Sequence, residues 1–248
     1  MRIAWLASPL LLFALWEATA RFQLFPATIL VPPEQVFATF LDLLRDGDLL
    51  DNLQASAARV VSGFLIGGTT GVAVGLLLGL TPTAERYFGT LFHALRQVPF
   101  IAWAPLLIIA FGIGETFKII IIANASFFPI ALNTLDGVRG VPAQFRDVAS
   151  LFRFSRWAVI RRVILPAALP SILTGARLAL SRSWMLVVAV ELFAASSGIG
   201  HMMDWARQMF EMDVVLVGVV VTGAVGFALD QGLRAVESRF TTWKSPVG

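Results

Sequence analysis

Val60-Val61-Ser62-Gly63-Phe64-Leu65-Ile66-Gly67-Gly68-Thr69-Thr70-Gly71-Val72-Ala73-Val74-Gly75-Leu76-Leu77-Leu78-Gly79-Leu80-Thr81-Pro82-Thr83-Ala84 runs without one charged residue. A helix that crosses a bilayer needs about 20 mainly apolar residues, and this stretch supplies them. Gly63, Gly67, Gly71, Gly75 and Gly79 each follow the last by four positions, so on a helix they share one face. Between helices in lipid there is no hydrophobic driving force, and small residues act by letting backbones approach. The stripe therefore predicts a close helix neighbour, either as static packing or as a contact that moves.

Five further segments read as spans beside this one at about 59–80: 3–20, 90–112, 116–135, 170–195 and 213–233. The expected fold is all-α, a polytopic membrane protein of about six transmembrane helices forming one domain over 1–248. Composition agrees: 57% of the chain is hydrophobic and 14% is charged, against roughly a quarter charged in soluble domains. A net charge of +3 gives no reason to expect nucleic acid. The chain has no cysteine, which excludes disulfides, thiolate metal sites and cysteine nucleophiles. Arg2, the apolar run Ile3–Trp16 and Ala18-Thr19-Ala20 also fit a cleavable signal peptide; the many spans that follow favour a first membrane helix.

Residues 34–57 differ. Val36, Phe37, Phe40, Leu41, Leu43 and Leu44 recur at helical spacing among Asp42, Arg45, Asp46, Asp48 and Asp51, which reads as an amphipathic segment on the membrane surface. Six arginines (Arg139, Arg146, Arg153, Arg156, Arg161, Arg162) crowd one connection. Arg86 and Arg96 flank another, and Arg234, Arg239 and Lys244 gather near the C-terminus. With six spans these regions and Arg2 share one side, which the positive-inside rule makes cytoplasmic. Both termini are then expected inside, with 34–57 and the 196–212 loop outside.

Candidates for a solute pathway or gate are Pro99, Trp103, Trp184 and Glu191. Pro99 and Pro105 kink the third span around Trp103, and freed carbonyls at membrane depth are tolerated beside protein or a wet cavity. Glu191 within the fifth span would cost at least ~2.5 kcal/mol facing lipid, so it is expected to face the bundle, as a pathway group, a buried ion pair or an interfacial carboxylate. Arg177, Trp184 and Glu191 recur every seven positions on one face. His93 and His201 fall on opposite predicted sides and make no metal site. Neither lysine, Lys118 or Lys244, follows a glycine, so no Walker-type nucleotide loop exists. No catalytic constellation is visible, and the chain is not expected to be an enzyme or to hold a cofactor.

The connection at 137–169 is too basic for membrane and too apolar for a free linker. After Pro142, Ala143-Gln144-Phe145-Arg146-Asp147-Val148-Ala149-Ser150-Leu151-Phe152 reads as a short amphipathic helix, a docking element for a soluble partner or for lipid headgroups. This connection resembles the coupling loop of ABC importer permeases, whose pattern is E-A-A, three residues, G, nine residues and I-x-L-P. Asp147-Val148-Ala149 stands at the triplet and Val163-Ile164-Leu165-Pro166 at I-x-L-P, with matching spacing. Arg153 occupies the glycine position. With arginine there, the turn is expected to take another backbone conformation or the helix to run on. Ser155-Arg156-Trp157, Ile164-Leu165-Pro166-Ala167-Ala168-Leu169-Pro170-Ser171-Ile172-Leu173-Thr174-Gly175, Ala194-Ala195-Ser196-Ser197-Gly198-Ile199-Gly200, Phe111-Gly112-Ile113-Gly114-Glu115 and Phe127-Phe128-Pro129-Ile130 look like the nitrate/sulfonate/taurine/bicarbonate branch of these permeases.

The resemblance implies a type I importer permease fold in a bacterial inner membrane. It implies a homodimer of permeases, two cytoplasmic ATPase subunits that bind the ATP and Mg, and an extracytoplasmic solute-binding protein. Phe145, Arg146, Asp147, Val148, Ala149, Ser150, Leu151 and Arg153 are then the ATPase-coupling residues, and the solute is a small anion of sulfonate, nitrate or taurine type. A secondary transporter or channel would need no docking loop; a membrane enzyme would need clustered reactive residues.

Overall fold

The computed structural model describes residues 4–26 and 30–241; Arg2 and Lys244 lie outside them. In order come α1 Ala4–Arg21, α2 Pro33–Asp46, α3 Asp48–Leu80, α4 Pro82–Gln97, a 3-10 turn Phe100–Trp103, α5 Ala104–Phe111, α6 Glu115–Arg139, α7 Ala143–Leu151, α8 Arg156–Val159, a π turn Ile160–Ile164, α9 Leu165–Ala194, α10 Ile199–Gln208 and α11 Met212–Thr241. No strand occurs among the described residues. Lipid offers backbone groups no hydrogen bonds, so an apolar chain must satisfy them within helices or a closed barrel.

Among the described residues, four helices are long and apolar enough to cross a membrane: Asp48–Leu80, Glu115–Arg139, Arg156–Ala194 and Met212–Arg239. α4 and the Phe100–Phe111 segment are together long and apolar enough but bend by 94° between them. The single kinked span expected over 90–112 is thus two pieces. Val98, preceding Pro99, takes φ −73 and ψ 119, the extended conformation that a following proline imposes. α1, at 18 residues, is about 27 Å long and, with Glu17 and Arg21 in its last turns, is less apolar than the most apolar stretches of the four long helices.

Other boundaries also move. The surface segment expected over 34–57 divides at Gly47, whose φ of +86 ends α2. α3 then starts at Asp48, not near 59. Asp48 and Asp51 in its first turn suit the positive end of a helix, so the charges that read as surface extend a 33-residue helix. The loop expected over 196–212 contains α10, and the helix expected from 170 is continuous from Arg156.

The chain forms two compact units, Met1–Ala57 with Val188–Ala224, and Ala58–Val187 with Val225–Gly248. In the second, α3 lies against α6. A Cβ at Gly63 would meet Ile122 at 2.6 Å, at Gly67 the Ala123 carbonyl oxygen at 2.1 Å, at Gly71 the Phe127 oxygen at 2.8 Å, at Gly75 the Ala131 oxygen at 2.5 Å, and at Gly79 Val138 at 2.9 Å. Both series ascend together, so α3 and α6 are parallel. Two adjacent parallel spans require the chain between them to cross back. The bent α4–α5 pair is therefore one broken span rather than a re-entrant loop.

Its contacts follow that path along α6: Glu85 pairs with Arg139, Phe92 packs on Phe127 and Phe128, and Trp103 and Leu107 share a cavity with Ile120 and Ile121. α9 runs antiparallel to α6. Gly137 abuts Ala168 and Ser171, Gly175 abuts Asn133 and Pro129, and buried Ser126 and Ser183 share a hydrogen bond of 2.6 Å. In α11, Glu237 accepts from Thr174 at 2.5 Å and pairs with Arg177. The C-terminal ends of α3, α6 and α11 and the N-terminal end of α9 thus share one side of this unit.

In the first unit the Trp16 indole donates to the Val31 carbonyl at 3.0 Å and Thr39 donates to Asp213 at 2.7 Å. α10 there borders a cavity of about 530 Å³ lined by Asp48, Asn52, His201, Glu211 and, among apolar residues, Leu43, Met202 and Val214.

Candidate functional site

The connection that carries the coupling-type motif folds as α7, a turn, and the start of the helix leading into α9. On α7, Ala149 is buried and faces the protein. Phe145, Val148 and Leu151, at spacings of three, are exposed, Leu151 by 82%. Phe152 and Trp157 are exposed beside them, and Asp147 shares the solvent-facing side. Arg146 and Ser150 lie on α7 between these residues. A contiguous apolar stripe left open on a polar side of a protein marks an interaction surface. Val138, Val141, Ile164 and Ala168 form a buried cluster that joins the end of α6 to the start of α9, and α7 rests on the π turn Ile160–Ile164.

α7 ends in a Schellman turn: the Phe154 amide donates to the Ala149 carbonyl at 3.0 Å, spanning five residues. The residue that must turn left-handed is Arg153, and it does, with φ +52. The sequence expectation of another conformation, or of a helix that runs on, is corrected: the arginine adopts the glycine geometry. The six-to-one hydrogen bond outweighs the cost, which for an L-residue is about 1–2 kcal/mol. Arg153→Gly is accordingly expected to stabilise the end of α7 by about 0.5–1 kcal/mol after the added freedom of the unfolded glycine is subtracted. Slower amide hydrogen exchange across Val148–Phe154 would show it; faster exchange would contradict the strain.

The pathway candidates are dispersed. Pro99 sits at the break between α4 and the 3-10 turn. Trp103 borders an apolar cavity of about 320 Å³ with Leu95, Phe100, Leu107 and Asn124. Trp184 is buried, with Gly226 of α11 against its indole. Glu191 is 1% exposed in the other unit. Its carboxylate accepts from Ser56 Oγ at 2.8 Å and from the Gly200 amide at 3.0 Å. Ser56 Oγ in turn accepts from the Ile199 amide at 2.9 Å, and Asn52 Oδ1 from the Gly198 amide at 2.8 Å. Three successive amides opening α10, which no helical carbonyl can serve, are met by side chains of α3 and α9. A Cβ on Gly198 would stand 2.4 Å from the Glu191 carboxylate, so that position excludes any side chain.

Sequence reasoning passed over a second charged group. Arg59, 4% exposed, donates through Nε and Nη2 to the two carboxylate oxygens of Glu115 at 2.7 and 2.8 Å, and Lys118, 3% exposed, donates to Glu115 Oε1 at 2.5 Å. The bidentate fork fits a carboxylate as a lysine cannot. The available signal was a lone arginine just ahead of the uncharged run in α3, with Glu115 and Lys118 opening α6. What was missing was that α3 and α6 run parallel.

These features agree with comparisons to known proteins. Residues 71–242 match the family model of the binding-protein-dependent transport system inner membrane component. The taurine transport system permease protein TauC of Escherichia coli (strain K12) is 38% identical over 95% of this chain and 88% of its own length. The bicarbonate transport system permease protein CmpB of Synechococcus elongatus is 35% identical over 76% of this chain and 66% of its own. A crystal structure of an amino acid ABC transporter with histidines superposes with a TM-score of 0.68 at 15% identity, covering 81% of this chain and 98% of that one; this likeness concerns the fold. The chain belongs to the family of binding-protein-dependent transport system inner membrane components.

Proposed function

We propose that this chain is the transmembrane permease subunit of an ATP-binding-cassette importer. Two copies would form the pathway, two ATPase subunits would hold the ATP and Mg on the cytoplasmic side, and an extracytoplasmic binding protein would deliver the solute. The observation that carries the reading is the open apolar stripe Phe145–Val148–Leu151 on α7, seated where α6 ends and the helix into α9 begins. A secondary transporter or channel has no use for such a surface. Arg139 ends α6, Arg156, Arg161 and Arg162 follow α7 in the chain, and Arg234 and Arg239 end α11 on the same side of that unit. By the positive-inside rule this side is cytoplasmic, in an inner membrane. The names of the relatives, taurine and bicarbonate permeases, support a small anion, of sulfonate type, as the solute.

The test is copurification of the ATPase partner with the tagged chain. Val148→Asp with Leu151→Asp places charge in the stripe without touching buried Ala149, and is expected to abolish ATPase capture while the chain still assembles in the membrane. Undiminished capture would remove α7 as the docking element. Uptake assays with the cognate binding protein, comparing taurine with bicarbonate, test the solute class.

A further inference from the structure

The helix that leads from the α7 turn into the membrane is not uniformly α. At Ile160–Ile164 it widens into a π turn, closed by the Leu165 amide donating to the Ile160 carbonyl five residues back. The cause is local. Pro166 has no N–H for the Arg162 carbonyl, and its ring would press on that carbonyl in a regular α-helix. The wider turn removes the clash. Pro170 deletes a second donor one turn later, and its own carbonyl is taken by Thr174 Oγ1 at 3.0 Å.

The turn is tied to the end of α7 and borders a cavity. The Arg162 guanidinium stands 5.8 Å over the Phe154 ring, and Phe154 closes the Schellman turn of α7. Ser155 caps α8 by accepting from the Ala158 amide at 3.2 Å. The segment from α7 to α8 is thus braced internally. Arg162, Val163 and Pro166 also border a cavity of about 570 Å³ together with Asp136, Gly140 and Phe145. Below the π turn, α9 is locked to α6 by Ser171 Oγ on the Asn133 carbonyl at 2.8 Å and by the Ser126–Ser183 bond. A braced lever, a turn with an imperfect hydrogen-bond ladder, free volume beside it and a clamped helix beyond it make a hinge.

We propose that the π turn at Ile160–Ile164 is the hinge that takes up displacement of the docked α7–α8 segment relative to α9. The turn changes register between π and α as the ATPase pair opens and closes. Single π turns inside α-helices recur at functional sites, and packed helices switch between discrete arrangements rather than deforming continuously. Pro166 is the positioning residue, since it sets the π register, and Arg162 couples that register to the end of α7. The proposal rests on the reading of α7 as the docked helix, and the experiment separates the two.

The chain lacks native cysteine, so W157C with L178C, and L178C with M185C, place spin-label pairs across the π turn and along regular α9. Distances are measured in the reconstituted transporter with its ATPase, nucleotide-free and trapped with a non-hydrolysable ATP analogue. The expected result is a shift of about 2 Å or more across the π turn, with the pair along α9 unchanged. Pro166→Ala permits a regular α turn, and is expected to abolish the shift and lower uptake while ATPase capture persists. An unchanged Trp157–Leu178 distance in the wild-type assembly, with the ATPase captured, overturns the hinge and leaves the docking reading intact. Failure of the wild-type chain to capture the ATPase overturns both.

Discussion

Gly67→Ala is expected to destabilise the protein by about 3 kcal/mol, and Gly67→Leu to prevent its accumulation as a folded species, because the new carbon has nowhere to go. The added Cβ would lie 2.1 Å from the Ala123 carbonyl oxygen and 2.8 Å from its carbon. Both are backbone atoms of α6, so no side chain can rotate away and the two helices must separate. Separation would open the contacts at Gly63, Gly71, Gly75 and Gly79 as well, since all five rest on the same helix. Close packing is what holds helices together in lipid, so the loss spreads along the stripe.

Two controls make the prediction specific. At Gly68 the nearest atom to an added Cβ is the flexible tip of Ile130 at 3.3 Å, and at Gly232 nothing lies within 4 Å. Alanine at Gly232 should be neutral or stabilising by up to about 1 kcal/mol through helix propensity, and Gly68→Ala close to neutral. Thermal unfolding in detergent, followed by size-exclusion profile, gives the readout. Equal midpoints for Gly67→Ala and Gly232→Ala would remove the α3–α6 contact as a source of stability.

Glu115→Ala is expected to cost about 1–3 kcal/mol, less than the ~3–5 kcal/mol for a wholly buried pair because solvent screens the carboxylate. Glu115 is itself half exposed, at 56% of its side chain. The damage arises on the other side, where Arg59 and Lys118 lose the carboxylate between them while both stay almost wholly buried. The decisive measurement is a double-mutant cycle. Lys118→Met in the Glu115→Ala background should recover part of the loss, because it removes a buried cation deprived of its carboxylate, whereas Lys118→Met alone should destabilise. Additive effects would mean that the groups do not interact. A drop in expression with no change in unfolding midpoint would place the role of Glu115 in insertion instead.

Much of the fold was legible because membrane helices announce themselves by length and apolarity. The segments containing α3, α6, α9 and α11 could be seen from long, mainly apolar runs, since a bilayer imposes the same requirement on every span. Boundaries were misread where charge and helix part company. Asp48 and Asp51 signalled surface, yet they begin a helix that runs on into the glycine stripe. The prolines at 99 and 105 showed that the third span is interrupted. That it bends by 94° depends on how Phe92, Trp103 and Leu107 seat against α6, which no local signal encodes. Arg153 was visible as a departure from the glycine pattern, but its left-handed conformation follows from a hydrogen bond between Phe154 and Ala149 that composition does not reveal.

By itself, the sequence determined that this is a helical membrane protein, that five glycines share a helix face, that basic residues collect on one set of connections, and that one connection carries a permease coupling motif. These are properties of period, charge and length, and they survive without knowledge of neighbours. Only the tertiary structure decided that α3 and α6 run parallel, which makes α4–α5 a returning span. It alone joined Arg59 to Glu115 and Lys118, and brought Glu191 to the amides that open α10. In each case the residues are remote along the chain, and their partnership is set by which helix ends lie side by side, a packing outcome that the spacing of residues along one helix does not contain.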